Sequence, residues 1–197
     1  MSHDALKRAV WQANMDIVAA GLVVLTWGNA SGIDRDSGIV AIKPSGVSYD
    51  RLQPADIVLI SLDTGAALED GMRPSSDTPT HLYLYRHFAK AGGIVHTHSS
   101  HAVSWAQAER ELPCFGTTHA DHFYGTVPVT RRMTAQEVES AYEENTGAVI
   151  VERFEQGGID PADVPGVLVA GHGPFAWGTT AAKAVENAIV LESIARM

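Results

Sequence analysis

The sequence predicts an α/β fold in which helices cover a sheet, and three observations carry that expectation. A chain of 197 residues fits one ordinary core. Short runs rich in Val and Ile interleave with stretches whose apolar residues recur at helical spacing. No internal repeat, low-complexity segment or linker divides the chain, so residues 1–197 are expected to form a single domain.

Leu6, Val10, Ala13 and Ile17 step by three and four residues and share one face, which predicts an amphipathic first helix ended by Gly21. Leu22 to Thr26, Ile39 to Ile42 and Asp56 to Leu62 are bounded by Gly, Pro, Asn or Asp and read as strands. Ser75-Ser76-Asp77-Thr78-Pro79 offers N-cap residues and a first-turn proline to a helix over His81 to Lys90. Gly92-Gly93 breaks that helix, and Ile94 to His98 reads as a strand feeding a short helix through Arg110. Thr134-Ala-Gln-Glu137 matches a capping box for a helix running toward Asn145, after which Ala148 to Phe154 reads as a strand. Gly166 to Ala170 and Pro174 to Trp177 read as two further strands meeting at Gly171-His172-Gly173. A last helix starts at Thr179 or Thr180.

Composition narrows the function classes. Hydrophobic residues make up 45% of the chain and charged residues 19%, which argues against disorder. The net charge is −9 and no basic run is present, so no nucleic acid partner is expected. Cys114 is the only thiol, which rules out an intrachain disulfide and a thiol-rich zinc site, so a metal would have to be held by His and carboxylates. No apolar run approaches membrane-spanning length and the N-terminus has no apolar leader region, so no membrane partner is expected and the protein reads as soluble and cytoplasmic.

Nine histidines are the unusual feature of the composition. In a strand, residues i and i+2 project from one face, so His96 and His98 would point two imidazoles into one space. A catalytic zinc typically keeps three protein ligands and an open position. His172, between two glycines just after an apolar strand, is the chosen third ligand. His81, His87 and His101 lie on helical stretches and are expected to face solvent or support the site, while the roles of His119 and His122 stay open.

Three small polar segments look built to receive an anion: Thr26 to Gly32, with Gly28 and Asn29; Lys43 to Gly46, with Ser45; and Arg73 to Ser76, with Ser75. Small residues let backbone N–H groups approach a phosphate, Lys43 adds a positive charge, and Ser75 and Ser76 precede a helix N-terminus. Among carboxylates, Asp121 lies in an irregular polar stretch and is a credible acid/base. Asp77 reads most plainly as an N-cap, with a place in the metal shell or a role as base as the alternatives.

Leu25-Thr-Trp-Gly-Asn29, Ile42-Lys-Pro-Ser-Gly-Val47, Pro74-Ser-Ser-Asp-Thr-Pro-Thr-His81, Gly93-Ile-Val-His-Thr-His98, Gly116-Thr-Thr-His-Ala-Asp121 and His172-Gly-Pro-Phe-Ala-Trp-Gly178 together carry a resemblance that runs essentially end to end. The chain resembles the sugar-phosphate 4-epimerases of the class II aldolase and adducin-head superfamily. That resemblance implies an α/β sandwich with a central, mainly antiparallel or mixed sheet covered by helices, assembled as a homotetramer with active sites near subunit contacts. It implies zinc, with manganese or cobalt as alternatives, on His96, His98 and His172, with Asp77 at or beside the metal. It further implies phosphate binding by Asn29, Ser45, Gly46, Ser75 and Ser76 with Lys43 close by, and proton transfer by Asp121.

The implied reaction converts L-ribulose 5-phosphate, a phosphorylated pentulose, to D-xylulose 5-phosphate by inversion at C4. The C4–H has no adjacent carbonyl to acidify it, so breaking and re-forming C3–C4 by retro-aldol and aldol steps is the expected route, with a Lewis acid stabilising the enediolate. Relatives of this kind continue beyond the equivalent of Met197 and carry there a tyrosine assigned the opposite proton transfer. The present chain ends at Met197, and a helix stopping at Arg196-Met197 without a C-cap residue reads as a sequence from which a tail is omitted. A sugar 1-phosphate aldolase of the fuculose or rhamnulose type is the nearest alternative, although such enzymes usually place glutamate where Asp77 stands. An adducin-head-like binding module without catalysis is the other, and the intact histidine trio argues against it.

Overall fold

A computed structural model describes residues 2–197. Its sheet has six strands, β1 (Asn29–Asp34), β2 (Ile39–Ile42), β3 (Val58–Ser61), β4 (Gly93–His96), β5 (Gly166–Leu168) and β6 (Pro174–Gly178), in the order β3-β2-β1-β4-β6-β5. Every neighbouring pair is antiparallel. The helices are α1 (His3–Ala19), α2 (Thr78–His87), α3 (Ser100–Gln107), α4 (Thr117–Ala120), α5 (Ala135–Gly157) and α6 (Ala181–Arg196). The expected α/β class, with a central and mainly antiparallel sheet covered by helices, is therefore the observed one.

Alternation along the strands assigns the two faces of the sheet. Val40, Ile42, Ile94, Phe175 and Trp177 point to one side, where they meet Leu84 and Tyr85 of α2 and Ile150 and Phe154 of α5. The intervening Ala41, Val95 and Ala176 point to the other side, toward α1 and α6. Small residues on that second side let the helices come close. A methyl group on Gly93 would stand 2.4 Å from the Cα and N of Ala181 at the start of α6, so Gly92-Gly93 does more than end a helix.

The structure corrects several sequence expectations. Leu22 to Thr26 is not a strand: Leu22 is buried, but the chain then turns, with Trp27 N–H donating to Val24 O and Leu25 at φ 56 and 76% exposed. The strand on this side is β1, whose Asn-Ala-Ser-Gly-Ile-Asp sequence has little strand propensity; ladder bonds to both β2 and β4 fix it. Ala148 to Phe154 belongs to α5. Gly147, Ile150, Val151 and Phe154 are buried at helical spacing, and packing on α2 outweighs the modest helix penalty of β-branched residues. The strand expected to reach His98 ends at His96, and α2 stops at His87 where Arg35 donates to Tyr85 O, Phe88 O and Ala91 O. The Thr134 capping box, the Thr180 start of α6 and the Leu6-Val10-Ala13-Ile17 face of α1 are as expected.

Beneath the future site lies a buried polar chain. Ser31 Oγ sits 2.7 Å from His81 Nδ1 and 2.8 Å from Tyr85 Oη. His81 is wholly buried, which overturns the solvent-facing alternative and leaves the supporting one, and burial pushes its pKa down to about 3.

Gly93→Ala should destabilise the protein by about 1–3 kcal/mol or more, because backbone rather than a flexible side chain fills the space. A urea midpoint within error of wild type would refute that contact. The depressed His81 pKa gives an acid dependence of defined sign. The stability contributed by keeping the ring neutral is full above the ordinary histidine value near 6.5 and drains as pH falls toward about 3. In His81→Gln, unfolding free energy plotted against pH should be flatter across that window than in wild type; parallel curves would show that His81 does not titrate on unfolding.

Candidate functional site

Strand register assembles the site. Asn29 of β1 pairs with His96 of β4, and His96 pairs with Phe175 of β6. The His96 ring stacks on Phe175 with centroids 4.1 Å apart. His98 lies past the end of β4, so strand alternation does not explain its convergence; its loop nevertheless brings Nε2 to 3.1 Å from His96 Nε2. His172 enters from the turn joining β5 to β6, with its ring 4.7 Å from that of His96 and 5.2 Å from that of His98. One nitrogen from each of the three rings lies within 4.8 Å of the others.

The chemistry of these rings suits a divalent cation. His96 Nδ1 lies 2.9 Å from Pro174 O. A carbonyl only accepts, so Nδ1 carries the hydrogen and Nε2 presents its lone pair. Burial holds the His96 and His172 pKa values down to about 3, with mutual repulsion adding to the effect, and lowers that of His98. All three are therefore neutral at pH 7, which is the ligating form. A tetrahedral zinc bonded at about 2.0–2.1 Å separates its ligand nitrogens by roughly 3.3 Å, close to the observed 3.1 Å between His96 and His98. The three rings could hold a metal ion.

Asp77 occupies the N-cap position of α2 without capping it. Its backbone has φ −75 and ψ 0 and its side chain makes no cap bond. Oδ2 instead accepts from Asn29 Nδ2 at 2.6 Å, and Asn29 Nδ2 also lies 3.1 Å from Ser75 Oγ. Gly28 makes this reach possible: it has φ +96, and a Cβ there would stand 3.0 Å from His96 O. Tyr49 Oη donates to Gly28 O.

The two remaining polar loops are stitched together. Ser45 N–H donates to Arg73 O and Ser75 N–H donates to Lys43 O. Lys43 is 2% exposed; its ammonium lies 4.7 Å from the centre of the Tyr49 ring, and no carboxylate forms an ion pair with it among the described residues. Burial lowers its pKa. A buried cation without a carboxylate partner favours an anionic guest.

One cavity of about 570 Å³ is walled by Gly28, Asn29, Lys43, Ser45, Gly46, Ser75, Ser76, Asp77, His96, His98 and His172, every expected binding and ligand residue. Trp27, Tyr142 and Glu143 line it as well. The last two were not foreseen: they enter beside a break in α5 at Ala141, where φ is −155, and no local motif marks that break. Asp121 is not among the walls. It is exposed at the end of α4, which packs on α6, and lines a separate cavity with His122, Trp177 and Lys183. Of the histidines left open, His119 is buried and donates to Gly125 O, and His122 approaches Glu186. His101, by contrast, is exposed and engages Glu192, as a solvent-facing ring would. No helix among the described residues is long and apolar enough to cross a membrane.

Known proteins similar to this chain identify its family. The L-ribulose-5-phosphate 4-epimerase UlaF of Salmonella paratyphi C is 52% identical over 192 residues, covering 98% of this chain and 83% of that protein, and the Salmonella typhi protein of the same name matches equally. Among solved structures, an L-fuculose 1-phosphate aldolase superposes with a TM-score of 0.82 at 25% identity, covering 100% of this chain and 85% of the other. The L-fuculose-1-phosphate aldolase of Thermus thermophilus gives 0.72 at 25% identity, covering 97% and 91%. Residues 8–197 match the Class II Aldolase and Adducin N-terminal domain, and the chain belongs to that family.

Proposed function

We propose that this chain is a divalent-metal-dependent epimerase that converts L-ribulose 5-phosphate to D-xylulose 5-phosphate by inversion at C4. The observation that carries the reading is the convergence of three neutral imidazoles beside a stitched pair of polar loops holding a buried lysine. Similarity to the UlaF epimerases supports the substrate and the reaction. In this reading His96, His98 and His172 hold the metal, zinc being the proposed ion with manganese or cobalt as alternatives, and Asp77 stands beside it. When bound, the ion supplies Lewis-acid stabilisation of negative charge developing on the sugar oxygens.

The chain's own residues do the rest. Lys43, Asn29, Ser45, Ser75 and Ser76 hold the phosphate, with Gly28 and Gly46 giving the backbone freedom to approach it. As C3–C4 breaks, the C4 hydroxyl loses a proton and becomes an aldehyde still tethered through its phosphate. Rotation of that tethered aldehyde and re-formation of C3–C4 on its other face inverts C4. Retention is what separates this outcome from release of fragments by an aldolase, and a strong phosphate cradle favours it.

Asp121 is the proposed proton-transfer group for one face of the aldehyde. It lies outside the histidine cavity of its own chain, so in this reading it serves the cavity of a neighbouring copy. A homotetramer with sites near subunit contacts provides that arrangement. Residues 1–197 act as a single domain, and the cytoplasm is the proposed location.

His96→Asn should eliminate stoichiometric metal and turnover while the circular dichroism spectrum stays that of wild type; full metal occupancy would remove His96 from the ligand set. Incubated with L-ribulose 5-phosphate, the wild-type protein should yield xylulose 5-phosphate without accumulation of two- and three-carbon fragments. Free fragments would instead establish an aldolase. Asp121→Asn should leave metal content intact and lower turnover by a factor of about 10²–10⁴, and near-normal turnover would exclude it from proton transfer.

A further inference from the structure

We propose that Tyr142 is a positioning residue for His172: its phenol oxygen accepts the hydrogen on Nδ1 and thereby leaves Nε2 as the nitrogen offered to the cavity. The inference rests on the proposed metal at the histidine trio. Tyr142 Oη lies 3.3 Å from His172 Nδ1, and the two rings stand 5.8 Å apart at 45°. His96 is fixed in the same sense by Pro174 O on its Nδ1. An oxygen on the far nitrogen of a ligating histidine sets both its tautomer and its ring orientation.

His172 has the greater need of such a hold. His96 is buried and stacked on Phe175, whereas His172 is only partly enclosed and follows Gly171, whose φ of 71 belongs to a turn. The hydroxyl of Tyr142 supplies from the side what a strand supplies to His96 from beneath.

The approach of Tyr142 is arranged by a helix that does not run straight. At Ala141 the backbone leaves helical geometry, although no proline or glycine stands there. The Glu137 carbonyl, which Ala141 N–H would take in a regular helix, accepts from Asn145 Nδ2 at 2.8 Å. Beyond the break, Thr80 Oγ1 donates to Glu143 O and Thr146 Oγ1 donates to Tyr142 O. Arg131 spans the break, pairing with Glu137 before it and Glu152 after it, each at 2.8 Å. Side chains from three directions thus hold the one turn that delivers Tyr142.

The test is titration of Zn²⁺ into chelator-treated full-length protein, wild type against Tyr142→Phe, with the thermal midpoint of each metal-free protein measured in parallel. Loss of the hydroxyl should weaken metal affinity by about 10- to 100-fold while the metal-free midpoint stays put. Affinity within twofold of wild type would overturn the assignment. A fall in the metal-free midpoint matched by no loss of affinity, measured where both proteins are folded, would also overturn it. Wild-type protein that takes up no metal would instead overturn the metal reading itself, and His96→Asn, indistinguishable from wild type in that case, separates the two failures.

Discussion

The site depends on one constraint: three imidazoles must be brought within bonding reach of a common point and kept neutral there. Pairing of β4 with β6 does most of this. It lays His96 on Phe175, puts Pro174 O against Nδ1, and sets the turn that carries His172 beside the end of β4. Burial then keeps the rings uncharged at neutral pH. Without the strand pairing, nothing local would bring nitrogens from residues 96 and 172 together, since the two lie far apart along the chain.

The same strand end organises the proposed anion cradle. β1 lies on the other side of β4, and its first residue, Asn29, ties Asp77 and Ser75 to the sheet. Those bonds replace the helix cap that Asp77 would ordinarily form, so the N-terminus of α2 is anchored by the site rather than by itself. Lys43 sits in this frame as a buried cation facing an aromatic ring. In a protein of net charge −9, a local positive centre is what an anionic substrate requires.

Much of this was legible in the sequence because the site is built from short contiguous motifs. His96 and His98, His172 between glycines, and the Ser and Lys loops each carried their chemistry locally, and one cavity gathers them. Strand alternation does not bring the first pair together, since His98 lies off the strand and meets His96 through a loop. Elements fixed by long-range packing were less legible. Apart from Ile33, β1 is made of residues with little strand propensity, and the second half of α5 is rich in Val and Ile yet helical because it packs on α2. Tyr142 and Glu143 were invisible because a break in α5 places them, and that break is held by Asn145 of α5 itself and by Thr80 and Arg131 from elsewhere in the chain. Asp121 was recognised as chemically apt, but no local pattern could say that its own chain carries it away from the cavity.

The most direct test of the account is anomalous diffraction from crystals of the purified protein at the absorption edge of its bound metal. The account predicts one peak per chain, at about 2.0–2.1 Å from a ring nitrogen of each of His96, His98 and His172. A peak elsewhere, or crystals soaked in Zn²⁺ that show none between those rings, would contradict it.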